Sequence, residues 1–393
     1  MHRHVPPLRL TGGTVLIDGS LQETDLSVAS GVIGHEHLPE IDVSGYYVLP
    51  GIVDLHGDAF ERHIAPRPTA PFDMVHGLAS ADREAASCGI TTAFLAQGWS
   101  WDGGIRSPDY AEDVMRALET YRPQALCDLR IQLRYETHMV STETRFLQAL
   151  RRFGVSYVVF NNHLPEALEE FSNDPVAVEI WARKHGRTSE QHVARMLEAL
   201  KDAPEVSAHL ARLACAMDRL GTVYGSHDDG DPEVRRRYSE MGAQVAEFPT
   251  TFEAARLAVD MDDPVIMGAP NVVRGGSQSG NIAAVDLIRE GLCHALVSDY
   301  YYPALPQAVW ALVDHGVLDL PRAWAMVSSA PADILGLRDR GQIKAGARAD
   351  LVLINADTRA IEATISGGRI AALTGALATR FLARLDRMRV AAE

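Results

Sequence analysis

The sequence predicts an α/β protein: a (β/α)8 TIM-like barrel joined to a small β-sandwich built from both ends of the chain. Three observations carry that expectation. Short apolar segments alternate with longer amphipathic ones from Ile52 to Tyr301, glycine-punctuated β-like runs fill residues 8–50, and β character returns after Pro331. The division that follows is a small β domain over 1–50 and 340–393 and a barrel over 51–339.

Taken in order, LRLTGGTVLIDGS, DLSVASGVIG and SGYYVLPG read as strands and turns. Eight candidate barrel strands follow: Ile52–His56, Thr91–Ala96, Leu129–Glu136, Tyr157–His163, Val223–Asp229, Gln244–Pro249, Val265–Asn271 and His294–Tyr301. Eight strands are the number that closes such a barrel. Helical patterns lie between them, as in HGLASADREAASCG after the first strand and NIAAVDLIREG before the last. Residues 164–220 form a long polar stretch with more than one helix, read as an insertion on the barrel. GQIKAGARADLVLIN and ATISGGRIA then complete the N-terminal β unit.

With 37 Lys+Arg against 52 Asp+Glu, the 393-residue chain carries a net charge of −15, and 47% of it is hydrophobic. That is a soluble globular composition with ample core. The charge opposes adhesion to nucleic acid or anionic membrane, so neither partner is expected. A small anionic substrate is still admissible, provided local cations or metal hold it. Cys88, Cys127, Cys215 and Cys293 stand far apart without a CxxC pair, so neither a disulfide framework nor a thiolate zinc site is expected. The start, MHRHVPPLRL, has no signal-peptide run, and no stretch reaches the ~18 apolar residues of a membrane span. A reducing cytoplasm is the expected compartment.

Five of the eight strands carry a metal-capable side chain at or near the C-terminal end: His56 with Asp58, Glu136, His163, His227 with Asp228 and Asp229, and Asp299. Barrel strands converge at that end, where such enzymes carry their active sites. His and carboxylate donors suit Zn, Mn, Fe or Ni, and one or two such ions would bring the pKa of water towards neutrality. Any one of these residues alone is better read as a hydrogen-bonded structural group, and Asp228, Asp229 and Glu61 also suit a solvated turn. Their joint placement favours a metal site. His185, His192, His209 and His315 fall in helical or connecting segments and His2 and His4 in a mobile terminus, so these are read as structural.

Two loops add positive charge. MGAPNVVRGGSQSGN (267–281) combines Pro270, Arg274 and the pair Gly275, Gly276 ahead of a helix expected from near Asn281. Glycines permit close backbone approach and a helix N-terminus offers free N–H groups, so a phosphate cradle and an ordinary capped turn fit this segment equally. ERHIAPRP (61–68) carries Arg62, His63 and Arg67 after the first strand, as anion contacts or as plain surface.

The order of these residues resembles the amidohydrolase superfamily, as do LPGIVDLH leading into the barrel and GQIKAGARADLVLIN leaving it. Within it, PGIVDLHGDAFERHIAPRP, CGITTAF, GSHDD, AEFPTTFEAA, MGAPNVVRGGSQSGN and SDYYYP are similar to the α-D-ribose 1-methylphosphonate 5-triphosphate diphosphatases of the carbon-phosphorus lyase pathway. The resemblance implies His56 and Asp58 as first-strand metal ligands, Glu136 as a bridging carboxylate, and His163 and His227 as imidazole ligands. It implies Asp299 as acceptor of the proton from attacking water, with Asp228, Arg274 and Asn271 nearby. Expected substrate contacts are Arg274, Asn271, Gln278, Arg67 and His63. The implied reaction is hydrolysis of a small triphosphate at the phosphorus nearest the ribose, releasing pyrophosphate, by a homo-oligomer with one or two divalent ions.

Some positions depart from the family pattern. Ala59 stands where Asn is usual, His63 for a Lys and Gln278 for a His, and the run Tyr300–Tyr302 is one residue longer. These changes open a second enzymatic reading, hydrolysis of another phosphorylated or cyclic amide substrate on the same centre. A catalytically idle scaffold that docks proteins of the same pathway is the non-enzymatic alternative.

Overall fold

The computed structural model describes residues 4–67, 70–173, 175–184, 187–277 and 279–390. Eight parallel strands run in chain order around a nearly closed barrel: Ile52–Gly57, Ile90–Trp99, Asp128–Glu136, Tyr157–Asn161, Val223–His227, Val245–Glu247, Val265–Gly268 and Ala295–Val297. Each overlaps a strand expected from the sequence. Ile52–Gly57 and Tyr157–Asn161 are buried at every position, because one face fills the barrel and the other lies under helices. That two-sided burial is why their sequences read as continuous runs rather than alternations.

A carboxylate joins the first strand to the eighth. Asp54 accepts from the Ser298 backbone N–H at 2.9 Å and from the Ser298 hydroxyl at 2.6 Å. Just beyond, Gly57 bridges Asp299, whose carbonyl accepts from the Asp58 N–H at 2.8 Å. The rim of the barrel is thereby fixed where the candidate residues leave it.

The helix expected after the first strand spans Met74–Ser87, started by Asp73, whose side chain accepts from the His76 N–H. Its Asp82 is buried and accepts from Tyr121 Oη at 2.7 Å and from the N–H groups of Leu126 and Cys127, fixing the approach to the third strand. The 164–220 segment forms helices Leu164–Asn173, Pro175–Lys184, Ser189–Leu200 and Val206–Leu220. The last sends Leu213 and Met217 into the main core, while Leu164, Met196 and Ala199 form a separate cluster with Trp101 beyond the second strand.

Several boundaries differ from the sequence reading. The seventh strand stops at Gly268 and the chain turns into a helix, Ala269–Arg274, where a strand to Asn271 was expected. Pro270 sits in the first turn, where its missing N–H costs nothing, and Gly275 ends the helix at φ 76°, a left-handed position suited to glycine. The next helix starts at Ala284 rather than Asn281. The fourth strand ends at Asn161, so His163 lies on the loop beyond it.

The chain ends build two further sheets. One has Val32–Gly34, Leu26–Ala29, Leu8–Thr11 and Glu40–Asp42 as neighbours; the other has Arg369–Leu373, Ile361–Ser366, Leu351–Asn355, Tyr46–Pro50, Thr14–Ile17 and Ser20–Glu23. Leu10, Val28, Ile33, Val48, Leu353 and Ile365 share one buried core of this unit. After Gly375 the chain is helical to Val390, with Leu377 and Phe381 in the same core, an element the sequence reading did not anticipate. His4, expected in a mobile terminus, hydrogen-bonds the Gly367 carbonyl at 3.0 Å, while His2 lies outside the described residues. Gly51 joins sandwich to barrel, and a Cβ there would stand 2.3 Å from Thr91 Oγ1, so only glycine fits. No helix among the described residues is long and apolar enough to cross a membrane.

Candidate active site

The C-terminal ends of the barrel strands surround a cavity of about 460 Å³ lined by His56, Arg134, His227, Asp228, Arg274 and Asp299 among others. Strand alternation builds it. On the third strand Gln132, Arg134 and Glu136 point inward at every second position, and each reaches a different partner. Gln132 donates to Glu247 at 2.8 Å, Arg134 Nη2 lies 3.0 Å from His227 Nε2, and Glu136 Oε1 lies 2.5 Å from His163 Nδ1.

Glu247, at the end of the sixth strand, is buried beneath two imidazoles. Its Oε2 lies 2.8 Å from His227 Nδ1 and 3.0 Å from His56 Nδ1. A carboxylate only accepts, so the His227 contact fixes the proton on Nδ1 and leaves Nε2 with its lone pair towards the cavity. The rings of His56 and His227 stack at 5.5 Å, and Phe248 meets both edge-on at 5.1 Å.

The backbone is strained at this rim. Asp228, Phe248 and Asp299 have φ of 58°, 55° and 55°, each one residue or so beyond a barrel strand and each lining the cavity. A left-handed conformation is costly for such residues, most of all for Phe, and persists where the surroundings impose it. The cost here turns two carboxylates and one ring onto the same space.

Among the described residues, three groups of side chains bring ligand atoms within 4.8 Å of one another: His56, His227 and Glu247; His163, His227 and Asp228; and His56, Asp58 and Asp299. Glu136, expected as a bridging carboxylate, belongs to none of them; its oxygens face the ring and backbone N–H of His163. Burial pushes the Asp299 carboxyl up to about 6, against the pull of His56. Burial would lower His163, but hydrogen bonds to Asp228 and Glu136 outweigh it and raise the imidazole to about 9. His227 is shifted down, by burial first. Burial also opposes the charge on Glu247, but His56 and His227 hold it far below the usual carboxylate range. The donor set is imidazole and carboxylate only, and the buried His56 Nδ1 has no aligned hydrogen-bond partner, so these residues fit a divalent cation.

The residues expected to touch substrate divide. Arg274 is exposed on the cavity rim. Asn271 also lines it, but its amide donates to the Ile282 carbonyl and its oxygen accepts from the Ala284 N–H, so it clasps its own loop. His63 pairs with Glu84 at 2.6 Å, and neither His63 nor the exposed Arg67 is among the lining residues. Gln278 lies outside the described residues, as does His185. His209 is tied to Tyr135 and Glu143, away from this cavity. The sequence reading missed Arg134 and Glu247. Glu247 satisfied the same strand-end rule as the others, and Arg134 was legible as the polar residue two before Glu136 on an inward face.

A barrel of this kind, with histidines and carboxylates at the strand ends and a sandwich from the chain termini, defines a class of hydrolases, and the chain belongs to the amidohydrolase family, whose signature matches residues 63–372. Among curated relatives it is 34% identical over 346 residues to the α-D-ribose 1-methylphosphonate 5-triphosphate diphosphatase of Escherichia coli K12, covering 86% of this chain and 91% of that one. It is 26% identical over 387 residues to an adenine deaminase of Brucella abortus, of whose length the match spans 56%. The fold is shared with the N-acetylglucosamine-6-phosphate deacetylase of Pasteurella multocida, at a TM-score of 0.62 and 12% identity over 93% of this chain and 99% of that one. It is shared also with molinate hydrolase, at 0.63 and 13% identity over 94% and 95%.

Proposed function

We propose that this protein is a diphosphatase that hydrolyses α-D-ribose 1-methylphosphonate 5-triphosphate to the 5-phosphate and pyrophosphate in phosphonate catabolism. The observation that carries the substrate is the 34% identity with the Escherichia coli enzyme over 86% of the chain. The cavity supports the chemistry. His56 and Asp58 beside Asp299, and His163 with His227 beside Asp228, are the donors for one or two divalent ions, Zn, Mn, Fe or Ni. When bound, such an ion polarises phosphoryl oxygens and acidifies water.

The chain's own groups do the rest. The Asp299 carboxylate accepts the proton as water attacks the phosphorus nearest the ribose, and the bond from that phosphorus to the bridging oxygen breaks in line as pyrophosphate leaves. Arg134 within the cavity and Arg274 on its rim neutralise charge on the phosphoryl oxygens. Glu247 holds the His227 tautomer, and Glu136 turns His163. The test is a phosphorus NMR assay on ribosyl triphosphates after metal loading. Pyrophosphate with a ribosyl monophosphate is expected, and inorganic phosphate as sole small product would overturn the assignment.

A second reading, hydrolysis of another phosphorylated or cyclic amide compound, is favoured by an adjoining cavity of about 680 Å³ that shares His227 and Asp228 with the first, reaches His163, and has Leu210, Val234, Tyr238 and Met241 on its walls. Such walls suit a ring. The working division remains a barrel over 51–339 and a β unit over 1–50 and 340–393. Cytoplasmic action as a homo-oligomer completes the proposal; Val176 and Ile180, one helical turn apart and 64% and 63% exposed, are apolar surface that supports self-association.

A further inference from the structure

The His227 imidazole has two ring nitrogens, and both are engaged. Nδ1 donates to Glu247 at 2.8 Å. Nε2 therefore carries the lone pair, and Arg134 Nη2 lies 3.0 Å from it. A guanidinium has only donors and keeps its charge at any physiological pH, so this contact consumes the lone pair that a metal ion would need. Two of the three candidate ligand groups contain His227; only His56, Asp58 and Asp299 do without it.

Arg134 is also short of partners. The His227 nitrogen is its one hydrogen-bonded side chain among the described residues, and its Nε is buried without a partner. The guanidinium is half-buried and in electrostatic reach of Glu136, Asp228 and Asp299, yet hydrogen-bonds none of them, so donors remain for an anion. The side chain lines the same cavity as Arg274, so its free donors face the space where a phosphate chain would lie.

Resting on the metal-hydrolase reading above, we infer that the site takes a single divalent ion, on the His56, Asp58 and Asp299 side, and that Arg134 is the second positive charge, binding a substrate phosphoryl oxygen over His227. The His163, His227 and Asp228 group is then closed to metal as long as Arg134 stands in it. The arrangement gives an acidic protein a fixed cation aimed at polyphosphate, with no need to recruit a second ion.

The test reads stoichiometry rather than turnover. The full chain is dialysed to equilibrium against Mn2+ and analysed for protein-bound metal, as wild type, His56→Asn, His163→Asn and Arg134→Gln. One equivalent is expected in wild type and in His163→Asn, none in His56→Asn, and a second equivalent in Arg134→Gln, where Nε2 is released. Calorimetric binding of inorganic pyrophosphate, with Mn2+ limited to one equivalent per chain so that no second ion replaces the lost charge, should weaken about tenfold in Arg134→Gln, the loss of one charge-assisted contact. Two equivalents in wild type, loss of metal in His163→Asn, or pyrophosphate affinity unchanged in Arg134→Gln would overturn the inference, and the His163 variant decides it should Arg134→Gln not fold. No bound metal in wild type would overturn it together with the metal-hydrolase reading, whereas two equivalents would leave that reading standing.

Discussion

Glu247 and His227 meet at 2.8 Å, Oε2 to Nδ1, and the same oxygen lies 3.0 Å from His56 Nδ1, so one buried carboxylate governs two of the imidazoles that face the cavity. Gln132 holds the other oxygen at 2.8 Å, which keeps the carboxylate from turning.

Glu247→Gln retains the shape and removes the charge. The amide oxygen can still accept from His227 Nδ1–H, but without the negative charge the imidazoles become weaker donors to a cation. Metal affinity measured by chelator competition is expected to fall about 10- to 100-fold, the usual cost of losing such a supporting partner. Circular dichroism should show the barrel intact. Affinity equal to wild type would mean that Glu247 serves only the packing of the barrel floor.

Asp299→Asn tests the proton acceptor. Its carboxylate stands beside His56 and Asp58 at the junction of the first and eighth strands, held by the backbone pair it shares with His56 and Asp58. The amide keeps that pair and loses the base, so kcat should drop by roughly 10²- to 10⁴-fold with KM little changed. Asp299 also belongs to the His56 and Asp58 ligand group, so the amide should weaken the hold on the ion as well, and kcat is read at saturating Mn2+. Activity restored to the wild-type level by excess Mn2+ would make Asp299 chiefly a ligand.

Much of this was readable beforehand. His56, Glu136 and His227 stand at or next to the C-terminal ends of their strands and Asp299 two residues past the eighth, the end of the barrel where such sites are built. Arg134 escaped because it lies two residues inside the end of its strand, and Glu247 because the sixth strand was expected to run on to Pro249, whereas it stops at Glu247. Asn271 misled, since an Asn beside Pro270 suits substrate contact and loop clasp alike, and only the hydrogen bonds to Ile282 and Ala284 distinguish them. The Gly375–Val390 helix was overlooked because its apolar residues complete a core formed by strands far away in sequence.

The bond broken can be followed with oxygen-18 water. Attack on the phosphorus nearest the ribose should put the label in the ribosyl monophosphate and leave pyrophosphate unlabelled by mass spectrometry. Label in pyrophosphate would indicate attack at the central phosphorus, and Arg134 and Arg274 would then bear on a different oxygen set.

Acid stability should depend on Asp128, at the start of the third strand and remote from the cavity. Burial opposes its charge, but Arg130 hydrogen-bonds it at 2.8 Å and Arg340 at 2.7 Å, and together they hold the carboxyl down to about 2. Arg340 is itself nearly buried and also donates to Thr92, so the pair ties the chain leaving the barrel to its second and third strands. Because the folded pKa lies below the unfolded one, the contribution is complete above about pH 4 and is lost as pH falls towards 2. The shift corresponds to about 2 kcal/mol, and with 26% of the side chain exposed about 1 to 2 kcal/mol is the realistic figure. Asp128→Asn should therefore lower the urea midpoint at pH 7. About half of its difference from wild type should be gone by pH 3, as the unfolded chain takes up its proton before the folded one. A gap that stays constant between pH 5 and pH 3 would show that Asp128 acts through its hydrogen-bond geometry rather than its charge.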